Sequence, residues 1–303
     1  MNLKKSALCA IAASLLILPG CGKSNGEVQD AGQKLFTVGS QSVTKGEVYE
    51  LLKHQNGANI TVTLALQEIY NKEAPVTDEM KKAAEEQYKS QAGDKSEEFE
   101  KTLIEGGYKD KQEYIDEVLV PAQQAQALFQ KYFKDHKDDI ISDFKPSIAR
   151  ILQFDKEENA KKAIQAIKDG TDPEKAAKEF GYETASYTGK EETITNKVTT
   201  IPERLVNALC EAKEPGVIDE VVANDDNTSW YVGVLVSNNY EDNYKKYAEA
   251  LGSESTLTED VTLYYFKEYD FKVTDQWLFD YFRANMPKYL VTRPDLSEAK
   301  SGS

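Results

Sequence analysis

The spacing of apolar residues changes several times along the chain, and each change predicts an element. Residues 7–18 are apolar except for Ser14. Leu35-Phe36-Thr37-Val38, followed by Gly39-Ser40 and Ser42-Val43, predicts a short strand and a turn. Thr44, with Glu47 three residues on, has the pattern of a capping box, and Val48, Leu51 and Leu52 carry the helix that follows. Leu64, Leu66, Ile69 and Tyr70 place a second helix over 60–71, broken by Pro75. Thr77 or Asp78 caps the next helix, over 79–89. Shorter helices are expected at 96–104, stopped by Gly106-Gly107, and at 111–119 and 122–134. Pro121 lacks an amide hydrogen and should kink or split that last run. Tyr114, Val118, Ala122, Ala125, Phe129 and Tyr132 share a face at helical spacing, as a core stripe or as a groove for a peptide.

Near Asp143 the texture changes. Residues 148–154 alternate and read as a strand. Ala160, Ala163, Ile164 and Ile167 build an amphipathic helix over 157–168, ended by Gly170, and Pro173 opens a second helix to 180. Residues 181–200 are polar and threonine-rich, a loop or an irregular strand. A helix over 202–212 carries Leu205, Val206 and Leu209; a strand at 217–222 and a hydrophilic turn at 224–229 follow. Residues 230–236 are nearly all apolar, as expected of a central strand. Helical spacing then returns at 240–251, 258–269 and 275–286, rich in aromatics, and Pro287 limits the last of these. The fold class is therefore α+β: a discontinuous all-helical domain, 34–143 with 240–291, interrupted by an inserted α/β domain, 144–239, and followed by a disordered tail, 292–303.

The N-terminus adds an address. Lys4 and Lys5 precede the apolar run of 7–18, the layout of a secretory signal and too short for a membrane-spanning helix of about 20 residues. The run closes on Leu18-Pro19-Gly20-Cys21, which resembles the lipobox of bacterial lipoproteins, although Pro19 stands where a small residue is usual. That resemblance implies a signal peptide over 1–20, a diacylglyceryl group on Cys21 as the mature N-terminus, and an extracytoplasmic protein on the outer face of the cytoplasmic membrane of a Gram-positive-type cell. Two acyl chains suffice for stable anchoring. The polar stretch 21–33 reads as the lipidated terminus and a flexible linker. A formal charge of −15 argues against nucleic acid as a partner, which needs basic patches, and against adhesion to anionic headgroups, so the membrane is expected to be engaged through the N-terminal lipid only. The remaining cysteines are Cys9, inside the signal, and Cys210, which reads as an inert thiol on an apolar helix face rather than a reactive one.

Taken together, the segments after Cys21 resemble the PrsA-type foldase lipoproteins. Phe36-Thr37-Val38-Gly39 with Val43-Thr44 and Glu47 is similar to that family's first strand and helix. Ile148-Ala149-Arg150-Ile151-Leu152 and Asn159-Ala160-Lys161-Lys162-Ala163 resemble the opening of a parvulin domain; Ile201-Pro202-Glu203, Gly216-Val217-Ile218 and Val221 resemble its later helix and strand. The resemblance implies a helical chaperone domain shaped like those of SurA and trigger factor, an inserted parvulin-like domain, and unfolded or newly exported proteins as partners.

The departures from the family fall on its chemistry. Arg150 stands where active parvulins carry the first-strand histidine, and Tyr231, or the residue one place from it, aligns with the last-strand histidine. Ala185-Ser186-Tyr187-Thr188-Gly189-Lys190 replaces the glycine-rich turn, and Arg204 replaces an aromatic. The chain's two histidines, His54 and His136, both precede the inserted domain and read as surface positions, not a metal site. Rotation about a prolyl bond must overcome about 18–20 kcal/mol. An arginine, which only donates hydrogen bonds, cannot reproduce a histidine pair. So Arg150 and Tyr231 are expected to be degenerate active-site positions, with no catalytic residue, no metal and no cofactor assigned. An active isomerase of the same family, and a solute-binding lipoprotein of a transporter, remain the competing readings. There is no P-loop, no dinucleotide glycine fingerprint and no Cys-x-x-Cys. Mass spectrometry of the membrane-extracted protein should find an acylated Cys21 as its first residue; a free thiol at position 21 in a secreted chain that begins elsewhere would refute the tether.

Overall fold

The computed structural model describes residues 28–298; the signal segment, Cys21 and the chain beyond 298 lie outside them. It has the expected α+β character, helices with two small antiparallel sheets. The chain divides into two compact units, one running to Leu128 and resuming at Ser253, the other Phe129–Gly252.

In the first unit, β1 (Lys34–Val38) and β2 (Gln41–Thr44) form a hairpin turning at Gly39, whose φ of +60° suits a residue without a Cβ. The capping box is present: Glu47 N donates to Thr44 Oγ1 at 3.3 Å, and Thr44 N to Glu47 Oε2 at 2.7 Å. It opens α1 (Lys45–Glu73), one continuous helix where two were expected. Gly57 does not break it; a Cβ there would meet Leu278 Cδ2 at 3.1 Å, so the glycine admits a neighbouring helix. Next come α2 (Asp78–Ala92), capped by Thr77, α3 (Ser96–Glu105) and α4 (Lys111–Tyr114), capped by Asp110.

Pro121 does not split the helical run that follows. A π turn, Ile115–Leu119, joins α4 to α5 (Val120–Asp135). The wider turn includes Glu117, whose carbonyl the proline ring would otherwise press upon. The additional residue in this turn rotates the helix below it. The buried line is Ile115, Leu119, Val120, Gln124 and Leu128, while the expected stripe of Tyr114, Val118, Ala122 and Ala125 lies half-buried beside it. Gln124 is buried because its amide has partners: it donates to Ala74 O at 3.0 Å and accepts from Gln67 Nε2 at 3.1 Å.

The second unit holds α6 (Lys137–Phe144), β3 (Ser147–Phe154), α7 (Glu157–Lys168), α8 (Pro173–Phe180), β4 (Thr188–Ile194), α9 (Glu203–Glu211), β5 (Gly216–Val217), β6 (Val222–Ala223), β7 (Trp230–Ser237) and α10 (Tyr240–Leu251). It is wider than 144–239 because its flanking helices pack within it. Tyr240 Oη donates to Phe133 O at 2.8 Å, and Lys137 pairs with Glu241 at 2.8 Å. The sheet order is β4-β3-β7-β5, with β6 also on β7. The apolar strand β7 is central, as its sequence predicted. Leu152, Phe154, Val232 and Val234 face α7 and α8; Ala149, Ile151, Tyr231 and Leu235 face α9.

The first unit resumes with α11 (Ser255–Glu268), α12 (Gln276–Asn285) and α13 (Pro294–Glu298). The helix α13 falls within the stretch read as a disordered tail; it is held by Leu296 against the cluster of Ala58, Phe282 and Leu290, and by the Arg293–Asp295 ion pair at 2.9 Å. Asp275 caps α12 and reaches Lys53 of α1 at 3.2 Å, and the rings of His54 and Trp277 lie 4.5 Å apart.

Gly189 combines two constraints: its φ is +79°, and a Cβ would fall 2.7 Å from Pro173 O and 3.0 Å from Glu174 N. Gly189→Ala should therefore destabilise the second unit by about 1–3 kcal/mol, read as a lower denaturant midpoint of the whole chain. Gly170→Ala, at φ +95° with open space around it, should cost less.

Candidate functional site

The antiparallel pairing of β3 with β7 decides what can meet what. Gln153 lies opposite Tyr231, and Arg150 opposite Val234. Side chains alternate along a strand, so Tyr231 shares its face with Gln153 and Ile151, while Arg150 points to the other face. The two positions singled out in the sequence are not brought together.

Arg150 is engaged in packing the strand edge. Its guanidinium donates to Gly189 O at 3.3 Å and to Glu191 Oε1 at 3.3 Å in β4, and lies 3.5 Å from Glu174 and 3.7 Å from Asp172 at the start of α8. Glu191 in turn meets Lys246 of α10 at 3.4 Å. Arg150 thus ties β3, β4 and α8 together, and it is 21% exposed. Arg204, at the position of the missing aromatic, is exposed and pairs with Glu220.

On the other face, a polar network sits above an apolar floor. Gln153 Nε2 donates to Ser229 Oγ at 3.2 Å and Tyr231 Oη at 3.3 Å, and Gln153 Oε1 accepts from Ser186 N at 2.9 Å. Tyr187 Oη donates to Thr200 Oγ1 at 2.7 Å, and its ring meets that of Tyr231 edge-on at 6.1 Å. Burial, with the neighbouring Tyr182 and Tyr187 phenols, pushes the Tyr231 hydroxyl above the usual tyrosine range, so it is a neutral hydrogen-bonding group at pH 7. Ile151, Ile201, Leu205 and Val222 form the floor. Tyr187 also lines an open cleft of about 470 Å³ beside α8, shared with Tyr182 and rimmed by Glu174, Lys178 and Glu183. The cleft is wide enough to admit an extended segment, with the Tyr182 and Tyr187 side chains in its lining.

Sequence reasoning did not single out Gln153, Tyr182 or Tyr187. The one signal for Gln153 was an amide in an otherwise apolar stretch of strand. Cys210 packs against the apolar cluster beneath α9, and burial pushes its thiol up, away from reactivity. His54 is half-exposed; His136 is 21% exposed and stacks on Tyr132 at 4.2 Å. Among the described residues, no three His, Cys, Asp or Glu side chains are grouped to hold a metal ion, and no helix is long and apolar enough to cross a membrane.

If Arg150 is a clamp, Arg150→Met should lower stability by roughly 1–2 kcal/mol, since its carboxylate partners are partly solvated, and leave peptide binding by the folded chain unchanged. Unchanged stability with lost peptide binding would make Arg150 a contact residue.

No protein-family model matches the chain. It is 30% identical over 197 residues to foldase protein PrsA 1 of Listeria monocytogenes serotype 4b, a match covering 62% of this chain and 60% of that protein. It is 30% identical over 193 residues to foldase protein PrsA 1 of Listeria innocua, with the same coverage. The chain thus matches about three fifths of the length of these relatives. Among solved structures it is similar to foldase protein PrsA from Streptococcus pneumoniae, at 16% identity and a TM-score of 0.44 over 82% of this chain and 98% of that one. It is also similar to the peptidylprolyl isomerase (PrsA) from Bacillus cereus, at 19% identity and 0.43 over 84% and 98%.

Proposed function

Starting from the chain's kinship with the PrsA-type foldases, we propose that it is an extracytoplasmic foldase that holds newly exported proteins while they fold, tethered to the membrane through Cys21. In this reading the helical domain is the chaperone, and the inserted domain keeps the parvulin-like architecture as a binding module without isomerase chemistry. The helical domain, 34–143 with 240–291, and the module, 144–239, are then separate contributors to one activity.

The observation that carries the silent-module reading is the placement of Arg150 and Tyr231 on opposite faces of the sheet, with Arg150 committed to Glu174, Glu191 and Gly189. Residues 137–303 contain no histidine, so no shift of alignment supplies one. What remains on the Tyr231 face is an amide and hydroxyl network that can orient a bound backbone but offers no group poised to exchange protons near pH 7.

Two measurements test this. The full chain should slow the aggregation of a reduced, unfolded model client; absence of any effect at several-fold molar excess would refute the chaperone role. A proline-peptide exchange assay should stay at background, and R150H with Y231H together should leave it there, because the two rings would lie on opposite sides of the sheet. Turnover well above background in the unaltered chain, lost on Tyr187→Ala or Tyr231→Ala, would instead establish an active isomerase with a different site.

A further inference from the structure

The hairpin at the start of the first unit exposes apolar side chains where a soluble protein ordinarily hides them. Every residue of 31–40 is exposed. Leu35 is 50% exposed, Phe36 53% and Val38 70%. Phe36 and Val38 lie on one face, and Phe36 pairs with Val43 across the hairpin. The two strands form a sheet of their own, and an isolated two-stranded hairpin is marginal in water. An exposed apolar strand is also an aggregation hazard unless something covers it.

Its position along the chain says what covers it. The segment just ahead of the hairpin is pinned to the first turn of α1: Gly46 N donates to Ala31 O at 2.8 Å, Lys45 N to Gln33 O at 2.8 Å, and Lys45 Nζ to Gln29 O at 2.9 Å. Seven peptide steps separate Cys21 from Val28, and they reach about 25 Å at most, at roughly 3.3–3.6 Å each. A chain held by acyl groups on Cys21 therefore cannot carry this end of the unit far from the lipid. The local charge permits the approach. Residues 21–45 contain Lys23, Lys34 and Lys45 against Glu27 and Asp30, a weakly positive stretch in a chain whose formal charge is −15.

We propose that the β1–β2 hairpin is a membrane-contact element: Leu35, Phe36 and Val38 enter the bilayer interface and hold the tethered unit against the lipid surface in a fixed orientation. The inference rests on the tether proposed above and adds a second contact to the acyl chains. The short leash makes the contact effectively intramolecular, so even a weak partition of three side chains is populated.

The test installs the tether chemically, so its outcome is independent of natural acylation at Cys21 and of foldase activity. The chain from Cys21 to Ser303, carrying Cys210→Ser, is coupled through Cys21 to a maleimide lipid in vesicles of phosphatidylcholine and phosphatidylglycerol. Amide exchange over 34–44 should slow roughly fivefold or more relative to the uncoupled chain. F36S with V38S should remove the protection while leaving exchange in solution as in the parent. A photoactivatable lipid provides a readout that needs no variant, and its cross-links should map to 34–44. Unchanged exchange with cross-links elsewhere or absent overturns the proposal. So does protection that arises without lipid as protein concentration rises, which would assign the hairpin to a second copy. Protection that appears only when an unfolded client is added would assign it to the client, and equally overturns it.

Discussion

The second unit depends on the ladder between β3 and β7, two strands near the ends of the module that pair along their whole length with helices on both faces. Because both faces are covered, each residue's odd or even place in the strand decides which core it joins. Leu152 and Val232 go to α7 and α8; Ile151 and Gly233 go to α9, where a Cβ on Gly233 would sit 2.9 Å from Leu205 Cδ1. The same alternation separates Arg150 from Tyr231. One position is used to fasten the edge strand β4 to α8, and the other to roof an apolar floor with hydroxyl and amide groups.

Features that depend on a few neighbouring residues were legible in the sequence. The capping box at Thr44 and Glu47, the start of α8 at Pro173, and the apolar run of β7 are local, and each stands as read. Features that depend on a distant partner were not. Gly57 carried no signal of its own: Leu278, more than two hundred residues later, is what makes a glycine useful there. The helical stripe through Pro121 lies half-buried beside the most buried line because periodicity assumes a uniform turn, and the π turn at 115–119 is one residue wider.

The candidate site follows the same rule. The two aligned positions could be named from a family pattern, but the face each one occupies depends on a register between strands about eighty residues apart. Gln153 carried little signal, because an amide in a strand is unremarkable until Ser186, Ser229 and Tyr231 are seen around it. Tyr182 and Tyr187 lay in a stretch that read as a loop or an irregular strand, and their relation to α8 is purely tertiary.

The absence of histidine after position 136 has a consequence beyond catalysis. Histidine is the side chain that ordinarily changes charge between about pH 5 and 8. Between β3 and β7 there is none, the Tyr231 hydroxyl is held protonated by burial and the neighbouring phenols, and burial pushes the half-buried Cys210 thiol up, so that segment has no switch of that kind; His136 lies ahead of it in the same unit, stacked on Tyr132. On the function proposed above, the module's grip on a passing chain would not be set by histidine protonation between about pH 5 and 8, and release would follow the client's own folding, which withdraws the extended segment.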